Sequence, residues 1–311
     1  MRFFTSALVL FVLSCLVAGF GQSHAHKKQG AVTAVPAKAG SNAEEAVPPV
    51  LLPSKEQIDA ALQRAYGYDK GLTWSILDVS PSAIPGIVDV LVSANRGQPL
   101  HMYMSPNMKN VILGGELMPF GSNPFEPARE KLRAADGPTR GSSKPAIEIV
   151  EFSDLECPHC KAAAPILEKL LTDFPQVRLT FQQFPLPASL HPWAMKAAEY
   201  ADCAGQQDKQ AFWKYVDSIF ENQGSIALAT ADDKLKELAN VAGLDATKLS
   251  ACATSPETEA RVGKSLKLGQ SLGVNSTPTV FVNGRKLPGI SPSNYDQLKA
   301  LVQFEIEHAG K

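Results

Sequence analysis

The sequence has 311 residues, and its 30 Lys and Arg residues nearly balance its 31 Asp and Glu residues, for a formal net charge of −1 at pH 7. This balance excludes the basic surface with which proteins neutralise phosphate backbones, so no nucleic-acid partner is expected. Apolar residues make up 44% of the sequence, which at this length is enough to build the cores of two domains.

The first residues of the chain are predicted to be a signal peptide. One Arg precedes an apolar stretch at residues 3–20, and small residues at positions 23–25 suit a signal peptidase, so residues 1–25 are assigned to the signal. The protein is therefore expected in the periplasm or secreted. Lipid anchoring through Cys15 is a less favoured alternative, because Leu13 is bulky for the position two residues before an acylated cysteine.

Residues 26–53 repeat small residues, Pro and Lys without periodicity, which is typical of a flexible linker. Ser54 and Gln57 have the form of a helix start, and apolar residues at helical spacing continue to Tyr66. Four strand-like runs follow, at residues 72–79, 87–92, 100–104 and 110–113. Residues 54–123 are therefore predicted to be a small α+β domain without catalytic residues, because the segment has no cysteine and one histidine.

A linker helix is predicted for residues 124–145, with residues 137–144 as its flexible end. Beyond it, apolar residues alternate at 147–152, and helix formers with an apolar stripe begin after Cys160. Cys157, Pro158, His159 and Cys160 thus lie where a strand leads into a helix. A thiolate at a helix N-terminus has a lowered pKa, so Cys157 is expected to be exposed and reactive, with Cys160 buried and close enough to close a disulfide.

Zinc binding, haem attachment and a purely structural disulfide each suit the surroundings of the two cysteines less well than a redox pair does. A structural zinc site needs a second close pair of ligands, whereas Cys203 and Cys252 lie 49 residues apart, so no metal is expected. Haem attachment requires a histidine directly after the second cysteine, where Lys161 stands. A purely structural short-loop disulfide does not account for the strand-to-helix context.

The strand, the Cys-Pro-His-Cys motif, the helix and a later Thr277-Pro278 before an apolar run resemble the thioredoxin fold, and more narrowly the DsbA-type thiol–disulfide oxidoreductases. Asn283-Gly284 after that run predicts a hairpin. The resemblance implies that Pro278 is cis and lies against the active-site disulfide, and that Thr277 offers its backbone to substrate. It also implies a thioredoxin domain over residues 146–311 with a helical insert at 188–272, and no cofactor other than the Cys157–Cys160 disulfide.

Glu151 stands six residues before Cys157, where thioredoxin-like proteins carry a buried acid. A buried carboxyl group without a charge partner has a raised pKa, which suits a proton acceptor for Cys160, and Asp154 ranks second for this role. The imidazolium of His159 and the helix dipole would both favour a thiolate at Cys157. Thiolate stabilisation makes the disulfide oxidising, and the Pro158-His159 pair resembles that of strongly oxidising DsbA proteins.

Cys203 and Cys252 both lie in segments of helical pattern within the predicted insert. A second, structural disulfide between them resembles an arrangement in some DsbA-like proteins, and two free buried thiols are the alternative. His191, near the start of the insert, is interpreted as a structural histidine at a helix start.

The order of elements in residues 54–123 resembles the N-terminal dimerisation domain of the DsbC-type disulfide isomerases, so a homodimer is expected, with a monomeric appendage as the alternative. Together these patterns predict an α/β thioredoxin fold with a helical insertion, preceded by a small α+β domain. They predict an exported enzyme that forms or reshuffles disulfides in exported proteins and exchanges electrons with a membrane or soluble redox partner. Oxidase activity is favoured over isomerase or reductase activity, and a non-redox chaperone is the remaining alternative.

Overall fold

The computed structural model describes residues 51–308. The predicted signal peptide, Cys15 and residues 26–50 of the predicted linker lie outside the described residues. The elements of the first region are one helix and five strands: α1 (Lys55–Tyr66), β1 (Trp74–Pro81), β2 (Val88–Ala94), β3 (Leu100–Met104), β4 (Asn110–Leu113) and β5 (Glu116–Pro119). As the sequence predicts, Ser54 caps α1 and forms a capping box with Gln57.

The first sheet is an antiparallel meander in the order β1-β2-β3-β4-β5. Alternate residues of β2 and β3, among them Val90 and Met102, are buried in one cluster with Ile58 of α1. Strand β5 was not predicted from the sequence. Its signal was available in the Gly114-Gly115 pair, which has positive φ values of 61° and 87° and joins β4 to β5 as a two-residue turn.

A second sheet forms the centre of the remaining chain, in the order β10-β9-β7-β8-β6. Strands β7 and β8 are parallel, and β9 runs antiparallel to β7. The elements outside the insert are α2 (Glu126–Leu132), β6 (Thr139–Gly141), β7 (Ile147–Ser153), α3 (Pro158–Asp173), β8 (Val177–Gln183), β9 (Thr279–Val282), β10 (Arg285–Lys286) and α9 (Tyr295–Glu307).

The predicted flexible end of the linker helix differs from the structure. Helix α2 ends at Leu132, and residues 139–141 form β6, which pairs antiparallel with β8 at the edge of the second sheet. A segment as short as Thr139-Arg140-Gly141 has no strand pattern of its own. It becomes a strand only because it pairs with β8, about 40 residues later in the chain.

The segment predicted as a helical insert holds five α-helices: α4 (Ala194–Gln207), α5 (Lys209–Asn222), α6 (Ala231–Val241), α7 (Ala246–Ala253) and α8 (Pro256–Ser271). A disulfide joins Cys203 of α4 to Cys252 of α7, so the structure contains the second pair that the sequence left open. None of the helices between residues 51 and 308 has the length and apolar character that crossing a membrane requires.

Strand β7, which leads into the Cys157–Cys160 motif, is packed against apolar side chains on both of its faces. Ile147 and Ile149 belong to the cluster that includes residues of α3, the insert and α9, whereas Val150 and Phe152 belong to a smaller cluster on the other face. Since side chains alternate along a strand, Glu151 lies on the same face as Ile149, beneath α3.

The Asn283-Gly284 hairpin between β9 and β10 forms as predicted, with both residues at positive φ (53° and 86°). A Cβ atom on Gly284 would lie 2.5 Å from the carbonyl oxygen of Phe125, so the turn also requires glycine for its close approach to the start of α2. The predicted fold class, an α/β thioredoxin fold with a helical insertion after a small α+β region, is confirmed.

A buried ionic cluster ties the first helix to the end of the chain. Arg64 of α1 makes two hydrogen bonds to the carboxylate of Glu305 on α9, at 2.9 and 3.0 Å, and the Glu305 side chain is 1% exposed. Arg285 of β10 contacts the same carboxylate at 3.3 Å and donates to the carbonyl of Ala65 at 2.6 Å. Burial alone would raise the pKa of Glu305, but the hydrogen bond and charge of Arg64 and the charge of Arg285 lower it.

We expect Glu305→Gln to lower the free energy of unfolding by about 3 kcal/mol, because it leaves the buried guanidinium group of Arg285 and the partly buried one of Arg64 without their counter-charge. The matched control is Glu130→Gln, since the Glu130 side chain is 56% exposed in its pair with Arg133 and such pairs contribute less than about 1 kcal/mol. Urea unfolding of both variants measures the two values. Equal losses in the two variants would contradict the predicted role of the cluster.

Candidate active site

Helix α3 begins at the first cysteine of the motif. Cys157 is the N-cap residue with extended backbone angles (φ −74°, ψ 121°), and its carbonyl oxygen accepts hydrogen bonds from the N–H groups of Cys160 and Lys161 at 3.1 and 3.2 Å. Pro158 occupies the first helical position, where its missing N–H group costs nothing and its fixed φ suits the helix. The motif therefore sets both the start of the helix and the place of its reactive group.

The sulfur of Cys157 is covered in this structure, which corrects the expectation of an exposed thiol. The residue is 3% exposed, and its Sγ lies 3.4 Å from the carbonyl oxygen of Thr277, to which the protonated thiol can donate a hydrogen bond. Pro158 and His159 are exposed beside it. The cover comes from a segment 120 residues later in the chain, so the motif alone could not predict it.

The peptide bond between Thr277 and Pro278 is cis, as the resemblance implied. The Thr277 residue is buried, its carbonyl faces the Cys157 sulfur, and its hydroxyl oxygen has no hydrogen-bond partner among the described residues. The segment before β9 thus lies against the first cysteine of the pair.

The two thiols have opposite acidities. The pKa of Cys157 is lowered to about 5, chiefly by the hydrogen bond from Cys160, with contributions from the backbone N–H groups of Cys160 and His159. Burial raises the pKa of Cys160 well above its usual value, and the neighbouring Cys157 and Glu151 add to the rise. Near neutral pH these pKa values favour one negative charge on the pair, at Cys157.

Glu151 lies beneath the pair and is 4% exposed. Burial raises its pKa to about 7, an effect that the negative charge of Cys157 increases and the positive charge of Arg140 opposes. Glu151 Oε1 and Arg140 Nε have no protein partner among the described residues, and both side chains line a cavity of about 10 Å³. A cavity of this size has room for about one water molecule.

The carboxylate of Asp154, the second candidate for proton exchange with Cys160, is occupied by hydrogen bonds within the protein. One of its carboxylate oxygens accepts from the N–H of Glu156 at 2.7 Å, and the other accepts from the N–H of Leu186 at 2.8 Å and from Nδ1 of His191 at 2.7 Å. Its backbone N–H points at Cys160 Sγ at 3.4 Å. Residues 154–157, between β7 and α3, are called the active-site loop here. With three hydrogen-bond donors on its carboxylate, Asp154 holds this loop in place.

The helical insert holds the active-site loop at two further points. Glu156 Oε2 accepts from the N–H of Trp193 at 2.7 Å, at the start of α4. Gln223 Nε2, just after α5, donates to the carbonyl oxygens of Leu155 and Cys157 at 2.8 and 3.1 Å. The insert thus fixes the backbone on which the reactive sulfur is carried.

These loop contacts were missed by the sequence interpretation, except that His191 was expected near a helix start. A signal existed for Asp154 and Glu156, because acids in a turn just before a helix commonly accept backbone hydrogen bonds. No local pattern marks Gln223. His159 makes no hydrogen bond through its ring within residues 51–308, so its predicted effect on the thiolate stays a prediction.

Metal binding at this site has no obvious set of ligands. Among residues 51–308, no group of three or more His, Cys, Asp or Glu residues is arranged to hold a metal ion. Cys203 and Cys252 lie elsewhere in the insert, where they are joined to each other.

The sequence model of the thioredoxin family matches residues 133–303, which is more than half of the chain. A Na(+)/H(+) antiporter NhaA 1 of Salinispora arenicola is 34% identical over 179 residues, which are 58% of this chain and 25% of that protein. The chain thus spans about a quarter of the length of this curated relative. A probable disulfide bond formation protein D of Bacillus cereus is 25% identical over 184 residues, covering 54% of this chain and 77% of that protein.

Among solved structures, oxidised BdbD from Bacillus subtilis is similar with a TM-score of 0.50. The match covers 55% of this chain and 93% of BdbD at 23% sequence identity. At this identity the likeness concerns the fold.

We expect Glu151→Gln to stabilise the reduced protein at alkaline pH. The pKa of Glu151 rises from 4.5 to about 7 on folding, so the wild-type protein loses stability as the pH increases through this range, by about 3 kcal/mol in total. The variant has no ionisable group at position 151, so its free energy of unfolding does not fall in this pH range for this reason. Urea unfolding between about pH 4 and about pH 9 should show the difference between the two proteins growing by this amount.

The control for this measurement is Glu148→Gln on the same strand, whose side chain is 49% exposed and paired with Arg178. Its stability should follow that of the wild type across the pH range. A difference between wild type and Glu151→Gln that does not change with pH would contradict the raised pKa.

Proposed function

The chain belongs to the thioredoxin family, and on this basis we propose that it catalyses thiol–disulfide exchange on exported proteins through Cys157 and Cys160. The observation that carries the proposal is the contrast between the two thiols. Cys157 has a pKa of about 5 at the start of α3, whereas the pKa of Cys160, one turn further in, is raised well above its usual value. A pair in which one thiol is acidic and the other keeps its proton has the properties that stepwise disulfide exchange requires.

In the proposed reaction a substrate thiolate attacks Cys157 Sγ of the oxidised enzyme. The Cys157–Cys160 bond breaks, a mixed disulfide forms between the substrate and Cys157, and the electron pair leaves on Cys160. Because a thiolate at the buried Cys160 is unfavourable, it takes a proton as it leaves. Glu151, with a pKa of about 7, is partly protonated at neutral pH, and its charge acts on Cys160, so Glu151 can supply that proton.

In the second step another substrate thiolate attacks the substrate sulfur of the mixed disulfide. The substrate disulfide forms and Cys157 leaves as a thiolate, which its low pKa makes a good leaving group. One substrate disulfide is gained and the enzyme is left reduced. Substrate would lie along the segment before β9. In this structure the carbonyl group of Thr277, next to the cis Pro278, contacts the Cys157 sulfur there.

The acidity of Cys157 favours the oxidase direction. A stabilised thiolate lowers the free energy of the reduced enzyme, so the enzyme gives up its disulfide readily to substrates. We propose no cofactor beyond this disulfide. Recharging requires a membrane or soluble redox partner that accepts two electrons.

Export is part of the proposal. It is supported by the apolar stretch at residues 3–20. Suitable substrates would be exported proteins with free or mispaired cysteines.

Disulfide isomerisation is a second candidate, favoured by the additional helix and sheet at residues 54–119. In this mode the reduced enzyme attacks a wrong substrate disulfide with the Cys157 thiolate and later releases a rearranged substrate. The proposed homodimer through the first sheet would place two active sites in one assembly. An oxidase test with a reduced, unfolded protein and an isomerase test with a scrambled protein separate the two activities.

We expect the Cys157–Cys160 pair to equilibrate with glutathione at an oxidising potential, nearer to about −120 mV, as in DsbA, than to about −270 mV, as in thioredoxin. Thiol alkylation and mass measurement follow the pair, with Cys203–Cys252 as an internal control that stays oxidised. The Cys160→Ala variant should retain a mixed disulfide on Cys157, because the resolving thiol is absent. A pair that never reacts with glutathione would refute the proposed function, and a potential near the thioredoxin value would refute its oxidase direction.

A further inference from the structure

His191 and Asp154 form an ion pair at the edge of the active site that the exchange reaction described above does not use. His191 lies in the connection from β8 to α4, and its Nδ1 is 2.7 Å from Asp154 Oδ2. The Asp154 side chain is fully buried and the His191 side chain is 17% exposed. A buried carboxylate needs a partner of opposite charge or several donors, and Asp154 has both.

The surroundings of His191 favour the imidazolium form. Burial alone would lower the pKa of His191, but the hydrogen bond to Asp154 and the negative charges of Asp154, Cys157 and Glu156 outweigh it and raise the pKa. All three groups belong to the active-site loop, residues 154–157. The cation therefore faces a region whose charge changes when the cysteine pair is oxidised or reduced.

Asp154 connects this cation to both cysteines through its own backbone. Its carbonyl oxygen accepts from the N–H of Cys157 at 3.0 Å, and its N–H points at Cys160 Sγ at 3.4 Å. Its carboxylate holds His191 and the N–H of Leu186, so the loop and the β8–α4 connection are joined at one residue.

We propose that His191, seated on the Asp154 carboxylate, is a charged positioning residue that favours the thiolate form of Cys157 and so increases the oxidising strength of the pair. The inference rests on the proposed function for its biological meaning. The electrostatic coupling itself is a property of the two side chains and can be measured without any substrate.

The coupling has a reciprocal consequence. If the His191 cation stabilises the Cys157 thiolate, the thiolate must stabilise the cation by the same free energy. Oxidation removes the thiolate, so His191 should lose its proton more easily in the oxidised protein. A histidine with a merely structural role would titrate alike in both states.

The first experiment replaces His191 by Asn, which keeps a hydrogen-bond donor near the position of Nδ1 but carries no charge. The pKa of Cys157, followed by thiolate absorbance, should rise by about one unit, as expected for loss of a nearby opposite charge. The equilibrium constant for reduction by glutathione should fall about tenfold at a pH above the pKa of Cys157, and this difference from wild type should vanish at high pH, where His191 is neutral.

The matched control is His101→Asn in the first sheet. His101 Nδ1 contacts Asp89 at 2.8 Å in a similar pair, but its side chain is 56% exposed and it belongs to strand β3. This variant should leave the pKa of Cys157 unchanged.

The second experiment needs no variant and so does not depend on how His191→Asn folds. Imidazole NMR titration of the wild-type protein should give a pKa of His191 about one unit lower in the oxidised than in the reduced state. Equal His191 pKa values in the two states, or an unchanged Cys157 pKa in His191→Asn, would overturn the inference. If the pair instead failed to react with glutathione, the proposed function would fail while the thiolate titration of His191→Asn still measured the coupling.

Discussion

Cys157 caps the N-terminus of helix α3, and the negative charge that this position favours on its sulfur organises the site. The Cys160 thiol, one turn further in, stabilises that charge most, and the backbone N–H groups of Cys160 and His159 add to it. That arrangement requires a second sulfur that stays protonated, which the burial of Cys160 provides. In the proposed reaction a further group exchanges a proton with Cys160, and we propose Glu151 for this role because burial raises its pKa to about 7.

Other parts of the chain hold the backbone that carries Cys157 in position. The helical insert contacts the active-site loop through His191, the N–H of Trp193 and the amide of Gln223. The segment before β9 covers the sulfur through Thr277. At the far end of the chain, Glu305 joins the second sheet region to α1 through two arginines. An acidic thiol is thus produced locally by a helix end and positioned by contacts that span more than a hundred residues.

The features predictable from sequence are those with local causes. The Cys157–Cys160 motif between an alternating run and a helix, the capping box at Ser54 and the Asn283-Gly284 turn each depend on a few adjacent residues. The features that escaped prediction depend on distant partners. Strand β6 exists because it pairs with β8, Cys157 is covered by a segment 120 residues away, and His191 meets Asp154 across 37 residues. No local pattern encodes such contacts.

The most direct test of this account is a pH titration of thiolate absorbance in the reduced protein, with Cys157→Ser as the reference that lacks the acidic sulfur. The account predicts one thiolate forming with a midpoint near pH 5, absent from Cys157→Ser, and no ionisation of Cys160 until far higher pH. A wild-type midpoint at about 8.5, the ordinary value for a cysteine, would contradict the claim that the start of α3 and Cys160 make Cys157 acidic.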